Sequence, residues 1–185
     1  IPQMVPKIVS AAIKSGIAAQ DVQILAPMYR GQAGINNLNT IMQDLLNPKE
    51  KANQFAFNDI FFRKNDKILH LVNDTELNVF NGDIGIITDL IPGKYTESKQ
   101  DEIYMSFDGN EVIYPLAYAM SIHKSQGSEF PVVILPITRQ SGRMLQRNLI
   151  YTAITRAKSK LVMLGEIAAF DYAVHNEGAK RNTYL

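Results

Sequence analysis

Apolar positions recur first with helical and then with strand spacing along this chain. Val5, Ile8, Val9, Ala12 and Ile13 share one face, so residues 5–15 are expected to form an amphipathic helix that stops near Gly16. Asp21 then introduces the apolar run VQILAP (22–27), short enough for a buried strand and closed by Pro27. Behind the loop MYRGQAG, a second apolar stripe of Ile35, Leu38, Ile41, Met42, Leu45 and Leu46 ends at Asn47-Pro48.

From about residue 56 to 115 the period shortens towards two. DKILHLV (66–72) and IGIITDLI (84–91) read as strands on either side of the turn-rich NDTELNVFNGD, and EIYMSFDGNEVIYPL sets an Asp-Gly turn between two alternating runs. Four or five short strands in this stretch predict a small β-barrel closed by Pro115. Beyond it, LAYAMSIHKS (116–125) is expected to be a helix, PVVILPI (131–137) a buried strand, GRMLQRNLIYTAIT (142–155) a helix and KLVMLG (160–165) a final strand. The fold class expected is therefore α/β: a parallel sheet with flanking helices built from residues 1–55 and 116–185, interrupted by a barrel at 56–115.

The 185 residues are 46% apolar and 20% charged, a globular composition with enough chain for one full core. Nineteen Lys and Arg against eighteen Asp and Glu leave a net charge of +1, so no overall field marks a binder of nucleic acid or membrane. That sum hides an asymmetry: residues 139–160 carry six basic and no acidic side chains, whereas 97–111 carry five acidic and one basic. The absence of cysteine excludes disulfides, thiol nucleophiles and cysteine-held metal centres, and fits a cytoplasmic compartment. His70, His123 and His175 are too widely spaced for a local ligand pair, so no metal site is expected. No apolar run approaches the roughly 20 residues of a membrane span, and IPQMVPKIVS lacks the layout of a secretion signal. The chain begins without Met and is expected to be a piece of a longer protein.

Three loops collect residues suited to anions. Arg30, in Pro27-Met28-Tyr29-Arg30-Gly31, follows a predicted strand, and carboxyl ends of strands face the ligand crevice of open α/β sheets; the other reading is a solvated surface arginine. The segment 121–130 gathers His123, Lys124, Ser125 and Gln126 around Gly127, a set of donors for phosphate oxygens, with Glu129 suited to accept from a sugar hydroxyl; the other reading is a polar turn with Gly127 as its cap. On a helical wheel Arg156 falls with Leu145, Leu149 and Thr152, opposite Arg143 and Arg147, so it is aimed at an interior or cleft, or else serves as a cation at a helix C-terminus. No G-x-x-x-x-G-K-[ST] loop and no acidic pair after a strand is present, and a self-contained NTPase needs both.

Taken together, these segments resemble the carboxy-terminal motor half of a superfamily-one DNA helicase of the RecD-like branch, the exodeoxyribonuclease V alpha-subunit type. AYAMSIHKSQGSEFPVVILPI (117–137) is similar to that family's motif V, LIYTAITRAKSKLVMLG (149–165) to motif VI and LAPMYRGQAGINNLN (25–39) to motif IV. FNGDIGIITDL (80–90) is similar to the start of the SH3-like barrel inserted in its second RecA-like domain. The resemblance covers residues 20–165. It implies a RecA-like motor domain of the P-loop NTPase type, without the P-loop, interrupted by the barrel. It places Arg30 on the γ-phosphate, makes Arg156 the arginine finger, and sets Gly127 and Glu129 beside the nucleotide with Glu129 near the ribose. His123, Lys124 and Ser125 would hold the single-stranded DNA backbone, and the barrel would cover the strand, with Lys67 or Arg63 as its contacts.

The family's phosphate loop, magnesium-binding acidic motif and glutamine motif belong to a first RecA-like domain that these residues do not include. The resemblance thus implies ATP and Mg2+ as cofactors of the full-length protein, neither held by this chain alone. Its implied partners are single-stranded DNA, the missing amino-terminal RecA-like domain and other recombination subunits, with no membrane. The full-length protein is expected to be an ATP-dependent five-prime to three-prime helicase of recombination and repair, and the isolated chain to be inactive. Two alternatives stand beside it: the helicase part of a conjugative relaxase, which shares these motifs, and a non-catalytic DNA- or protein-binding module. The joint presence of Arg30, Glu129 and Arg156 speaks against the module.

Overall fold

The computed structural model describes residues 1–49, 54–57, 60–71, 73, 75, 80–106 and 115–178. In chain order the elements are α1 (Met4–Lys14), β1 (Val22–Ala26), α2 (Ile35–Leu46), β2 (Gln54–Phe57), β3 (Ile60–Arg63), β4 (Lys67–Leu69), β5 (Ile84–Ile91), β6 (Glu102–Met105), β7 (Ala119–Ser121), β8 (Phe130–Ile137), α3 (Arg147–Ile154), β9 (Ala157–Gly165) and α4 (Ile167–His175). Short 3₁₀ turns lie at Ala19–Asp21, Gly93–Tyr95 and Arg139–Met144. Contacts group these into two compact units, Ile1–Leu38 with Ala119–Leu185, and Asn39–Tyr118. The second unit thus takes in the carboxy-terminal half of α2, ahead of the change of period near residue 56.

The first unit is built on a wholly parallel sheet in the order β7-β1-β8-β9. Every residue of β1 is buried, as are Val132 to Ile137 of β8, so the uninterrupted apolar runs seen in the sequence are the two central strands. At roughly 1.5–3 kcal/mol for each fully buried aliphatic side chain, Ile24, Leu25, Ile134 and Leu135 anchor this core. The helices add their apolar stripes, Val5 and Val9 from α1 and Leu149, Ile150 and Ala153 from α3. The ends of α3 and α4 are tied together, with Arg147 N donating to Asn176 O (2.8 Å) and Asn176 Nδ2 to Leu145 O (2.7 Å).

Two helix expectations fail here. LAYAMSIHKS is no helix: Ala119–Ser121 is the edge strand β7, and 122–127 is a succession of turns. Leu, Ala and Met favour helices intrinsically, but Ala119–Ser121 pair in a parallel ladder with β1, while Leu116 bridges Ile68 and Ala117 N donates to Lys67 O (2.7 Å), and this tertiary pairing overrides the propensity. The helix expected over 142–155 starts only at Arg147, because the backbone kinks at Gly142 (φ 45°) and Leu145 and Gln146 are extended. Helix α4 had no counterpart in the sequence reading.

Among the described residues the second unit holds five strands, the antiparallel pair β2-β3 and the antiparallel sheet β4-β5-β6. The Asp-Gly turn of the expected hairpin and the run after it lie outside the described residues. Asp66, wholly buried, organises this unit. Its carboxylate accepts from Gln43 Nε2 (2.6 Å) and Asn47 Nδ2 (2.7 Å) on and just after α2, from Arg63 N (2.7 Å) and from Tyr118 OH (2.9 Å). A buried carboxylate is tolerated because several donors surround it. Burial, then the Asp66 charge and the hydrogen bond to it, push the Tyr118 hydroxyl far above the ordinary tyrosine range, so it stays a donor. The first and last parts of the unit are also joined where Asn39 Nδ2 donates to Leu116 O (3.0 Å).

Replacing Asp66 with Ala removes the acceptor that these four donors share. Two of the four, Gln43 and Asn47, keep a second acceptor, Phe61 O and Lys64 O. Urea denaturation of Asp66→Ala is expected to show a loss of about 3 kcal/mol, and Tyr118→Phe a loss of about 1 kcal/mol. A loss below that of Tyr118→Phe would show that Asp66 is not the hub.

Candidate functional site

The register of the parallel sheet decides where each candidate residue emerges. Val22 stands opposite Val132 and Ile24 opposite Ile134, while Ala26 stands opposite Ser121; at the other end Phe130 stands opposite Ala157. Arg30 follows the carboxyl end of β1, whereas Arg156 directly precedes the amino end of β9. Six residues of strand separate those levels, about 20 Å at 3.3 Å per residue. The β1 loop does not fold back, since Gly31 lies against the side chain of Gln140, beyond the carboxyl end of β8. Arg30 and Arg156 are therefore not brought together on one phosphate, which corrects the arrangement implied by the resemblance.

The amino edge gathers Ser128, Glu129, Arg156 and Lys158. Arg156 lies past the end of α3, so the helical wheel does not place it. Its guanidinium turns back instead: Nε donates to Thr152 O (3.2 Å), Nη2 to Thr155 Oγ1 (3.2 Å) and Nη1 across to Ser128 O (3.1 Å). Phe130 N donates to Arg156 O (2.8 Å), so the segments similar to motifs V and VI are stitched together here. All three acceptors of the side chain are neutral oxygens. Of the five N–H donors of a guanidinium, three are engaged and two are left for an anion, on a side chain already held in place. Glu129 pairs with Lys158 at 3.6 Å, with both side chains more than half exposed. Such a pair holds weakly and leaves the carboxylate available to another partner.

The segment 122–129 leaves β7 at the carboxyl edge and enters β8 at the amino edge, so it runs the length of the sheet. His123 is exposed and Lys124 half-buried near its start. Ser125 is different: it is fully buried and its hydroxyl donates to Ile122 O (2.7 Å), while Lys124 N donates to Ser121 Oγ (3.2 Å). It shapes the turn and is not presented to a ligand. Gly127 has φ +90°, a conformation that favours glycine, and open space where a side chain would be. Gly127 thus leaves the backbone accessible beside Ser128 and Glu129.

At the carboxyl edge the loop 27–34 is folded tightly on the start of α2. Ile35 N donates to Met28 O (3.0 Å) and Asn36 N to Tyr29 O (3.1 Å), and a β-carbon at Gly34 would fall 2.4 Å from Arg30 O. The loop is fixed while Tyr29 and Arg30 remain exposed. The barrel contacts suggested by the resemblance do not emerge: Lys67 is buried, and Arg63 binds Asn47 O (2.7 Å) and Asp44 Oδ1 (2.8 Å) within its own unit. No cluster of three or more His, Asp or Glu suited to a metal occurs among the described residues, and none of their helices is long and apolar enough to cross a membrane.

Residues 38–107 match the SH3 domain of ATP-dependent RecD-like DNA helicases, and residues 116–164 match the UvrD-like helicase C-terminal domain. The ATP-dependent RecD2 DNA helicase of Deinococcus radiodurans is 33% identical over 172 residues, covering 89% of this chain and 23% of that protein. The RecD subunit of the RecBCD enzyme from Mycolicibacterium smegmatis is 28% identical over 158 residues, 85% of this chain and 27% of that protein. The chain thus spans about a quarter of the length of these curated relatives. Among solved structures, a Bacteroides Pif1 bound to single-stranded DNA superposes with a TM-score of 0.47 at 17% identity, over 84% of this chain and 45% of that one.

Ser125→Ala is expected to lower stability by about 1 kcal/mol in urea denaturation, the worth of one buried hydrogen bond; no change would mean that the hydroxyl does not hold the turn. With matches to a RecD-like SH3 domain and a UvrD-like helicase C-terminal domain, and RecD helicases among its curated relatives, the chain is similar to the RecD-like DNA helicases over both of its units.

Proposed function

We propose that the chain is the second motor domain of an ATP-dependent five-prime to three-prime DNA helicase of recombination and repair, with an SH3-like insertion between the two halves of its sheet domain. The observation that carries this reading is the course of segment 122–129, which starts with His123 and Lys124 at one edge of the sheet and ends with Glu129 beside Arg156 at the other. A nucleotide at the amino edge and a DNA strand at the carboxyl edge would then bear on opposite ends of one short connection. Movement at either end is passed to the other, the coupling a translocating motor requires.

Arg156, held by three neutral oxygens, is the finger that neutralises charge on the transferring phosphoryl group. Gly127 lets the nucleotide approach the backbone, and Glu129 exchanges Lys158 for a ribose hydroxyl. These residues fit the outer side of a bound ATP. Its phosphate cradle and the ligands of Mg2+ belong to the amino-terminal RecA-like domain, which joins this chain as a partner in a cytoplasmic protein together with other recombination subunits. Magnesium bound there would offset phosphate charge; this chain's part is to orient the nucleotide and supply the cation. His123 and Lys124 hold single-stranded DNA, and Ser125 supports them from within the turn.

In the full-length protein Arg156→Ala should lower DNA-stimulated ATP hydrolysis about 10³-fold while single-strand affinity, measured by fluorescence anisotropy, stays within a few-fold. Equal loss of both would overturn the finger assignment. The isolated chain should show no DNA-stimulated phosphate release, and turnover abolished by Arg156→Ala would contradict the division of the ATP site between two domains.

A further inference from the structure

Three loops emerge side by side at the carboxyl edge of the sheet, after β7, β1 and β8, which are neighbours in that order. The first carries His123 and Lys124, the second Tyr29 and Arg30, and the third, the 3₁₀ turn Arg139–Met144, carries Arg143. The second and third are in contact: Ser141 Oγ reaches Met28 Sδ at 3.6 Å, and Gly31 lies against Gln140. Arg139 is drawn to Glu166 (3.4 Å). Arg30 and Arg143, both exposed, have no ion-pair or side-chain hydrogen-bond partner among the described residues. Tyr29 stands 54% exposed beside Arg30 on a loop that its own backbone hydrogen bonds make stiff.

A row of cations with an exposed aromatic side chain among them matches one ligand chemistry in particular. Single-stranded nucleic acid presents a phosphate and a stacking face at every nucleotide. Neighbouring strand ends lie about 4.8 Å apart, so the three loops spread their cations over a length on the scale of a few nucleotides. A double helix would offer phosphates without exposed base faces for Tyr29. The same edge is out of reach of a γ-phosphate held by Arg156, about 20 Å away along the sheet.

We propose that Arg30 and Arg143 bind phosphates of single-stranded DNA and that Tyr29 stacks on one of its bases, extending the track of His123 and Lys124 across the ends of β1 and β8. This deepens the helicase reading and rests on it for the kind of strand bound. Arg30 is thereby assigned to DNA and not to ATP.

The test is anisotropy of fluorescein-labelled oligothymidine titrated with the 185-residue chain across a range of salt concentrations. The double variant R30A/R143A should bind at least tenfold more weakly and flatten the plot of log affinity against log salt by about 1.4, two contacts at about 0.7 each. Y29A should weaken binding at least fivefold with the slope unchanged, since stacking releases no counterion. R30K/R143K should keep the slope, and K160A, which removes a cation from β9 away from the three loops, should change affinity by less than twofold. Unaltered affinity in R30A/R143A, with the wild-type chain binding in a salt-dependent way, would overturn this proposal and leave the helicase reading standing. Absence of binding by the wild-type chain would count against both. Weaker nucleotide binding by Arg30→Ala in the full-length protein, with DNA affinity intact, would return Arg30 to the ATP site.

Discussion

All four strands of the first unit run the same way, and this one constraint decides what each of its loops can touch. In a parallel sheet the end of one strand and the start of the next lie at opposite edges, so every connection must travel the length of the sheet. Most connections do so with a helix, as α2 and α3 show. The connection from β7 to β8 has only the eight residues 122–129, and most of its chemistry-bearing side chains lie near one end or the other. Proximity in sequence between His123 and Glu129 is thus distance in space, while Ser128 and Arg156, far apart in sequence, are joined by a hydrogen bond.

The second unit answers to a different constraint. Among the described residues its sheets have only two and three strands, too few for a large apolar core. What ties it together is a buried carboxylate whose donors come from α2 and the residue after it, from the last residue of β3 and from the last residue of the unit. Tyr118, one of those donors, is followed at once by β7.

The central strands were legible because VQILA and VVILPI are short, apolar and stopped by proline or polar residues, and the helix stripes because their period is unambiguous. The region 116–125 was not: every residue from Leu116 to Ile122 is buried, so no period exists to distinguish strand from helix, and the composition pointed the wrong way. The site strings HKSQGSEF and YTAITRAKSKL stood out by their density of donors. Their division between two edges did not, because it follows from strand register and not from spacing. The Asp66 hub escaped for a similar reason, as its partners lie between positions 43 and 118. The one hint was Gln43 and Asn47 at i and i+4 on the polar side of a helix, with a lone Asp opening an apolar run.

Hydrogen–deuterium exchange on the full-length protein, with oligothymidine and a non-hydrolysable ATP analogue added separately, tests the division of the two edges most directly. Oligothymidine should slow exchange in 28–31, 122–124 and 139–144, and the nucleotide should slow it in 127–130 and 155–158. Protection of 28–31 by the nucleotide alone, or of both edges by the same ligand, would contradict it.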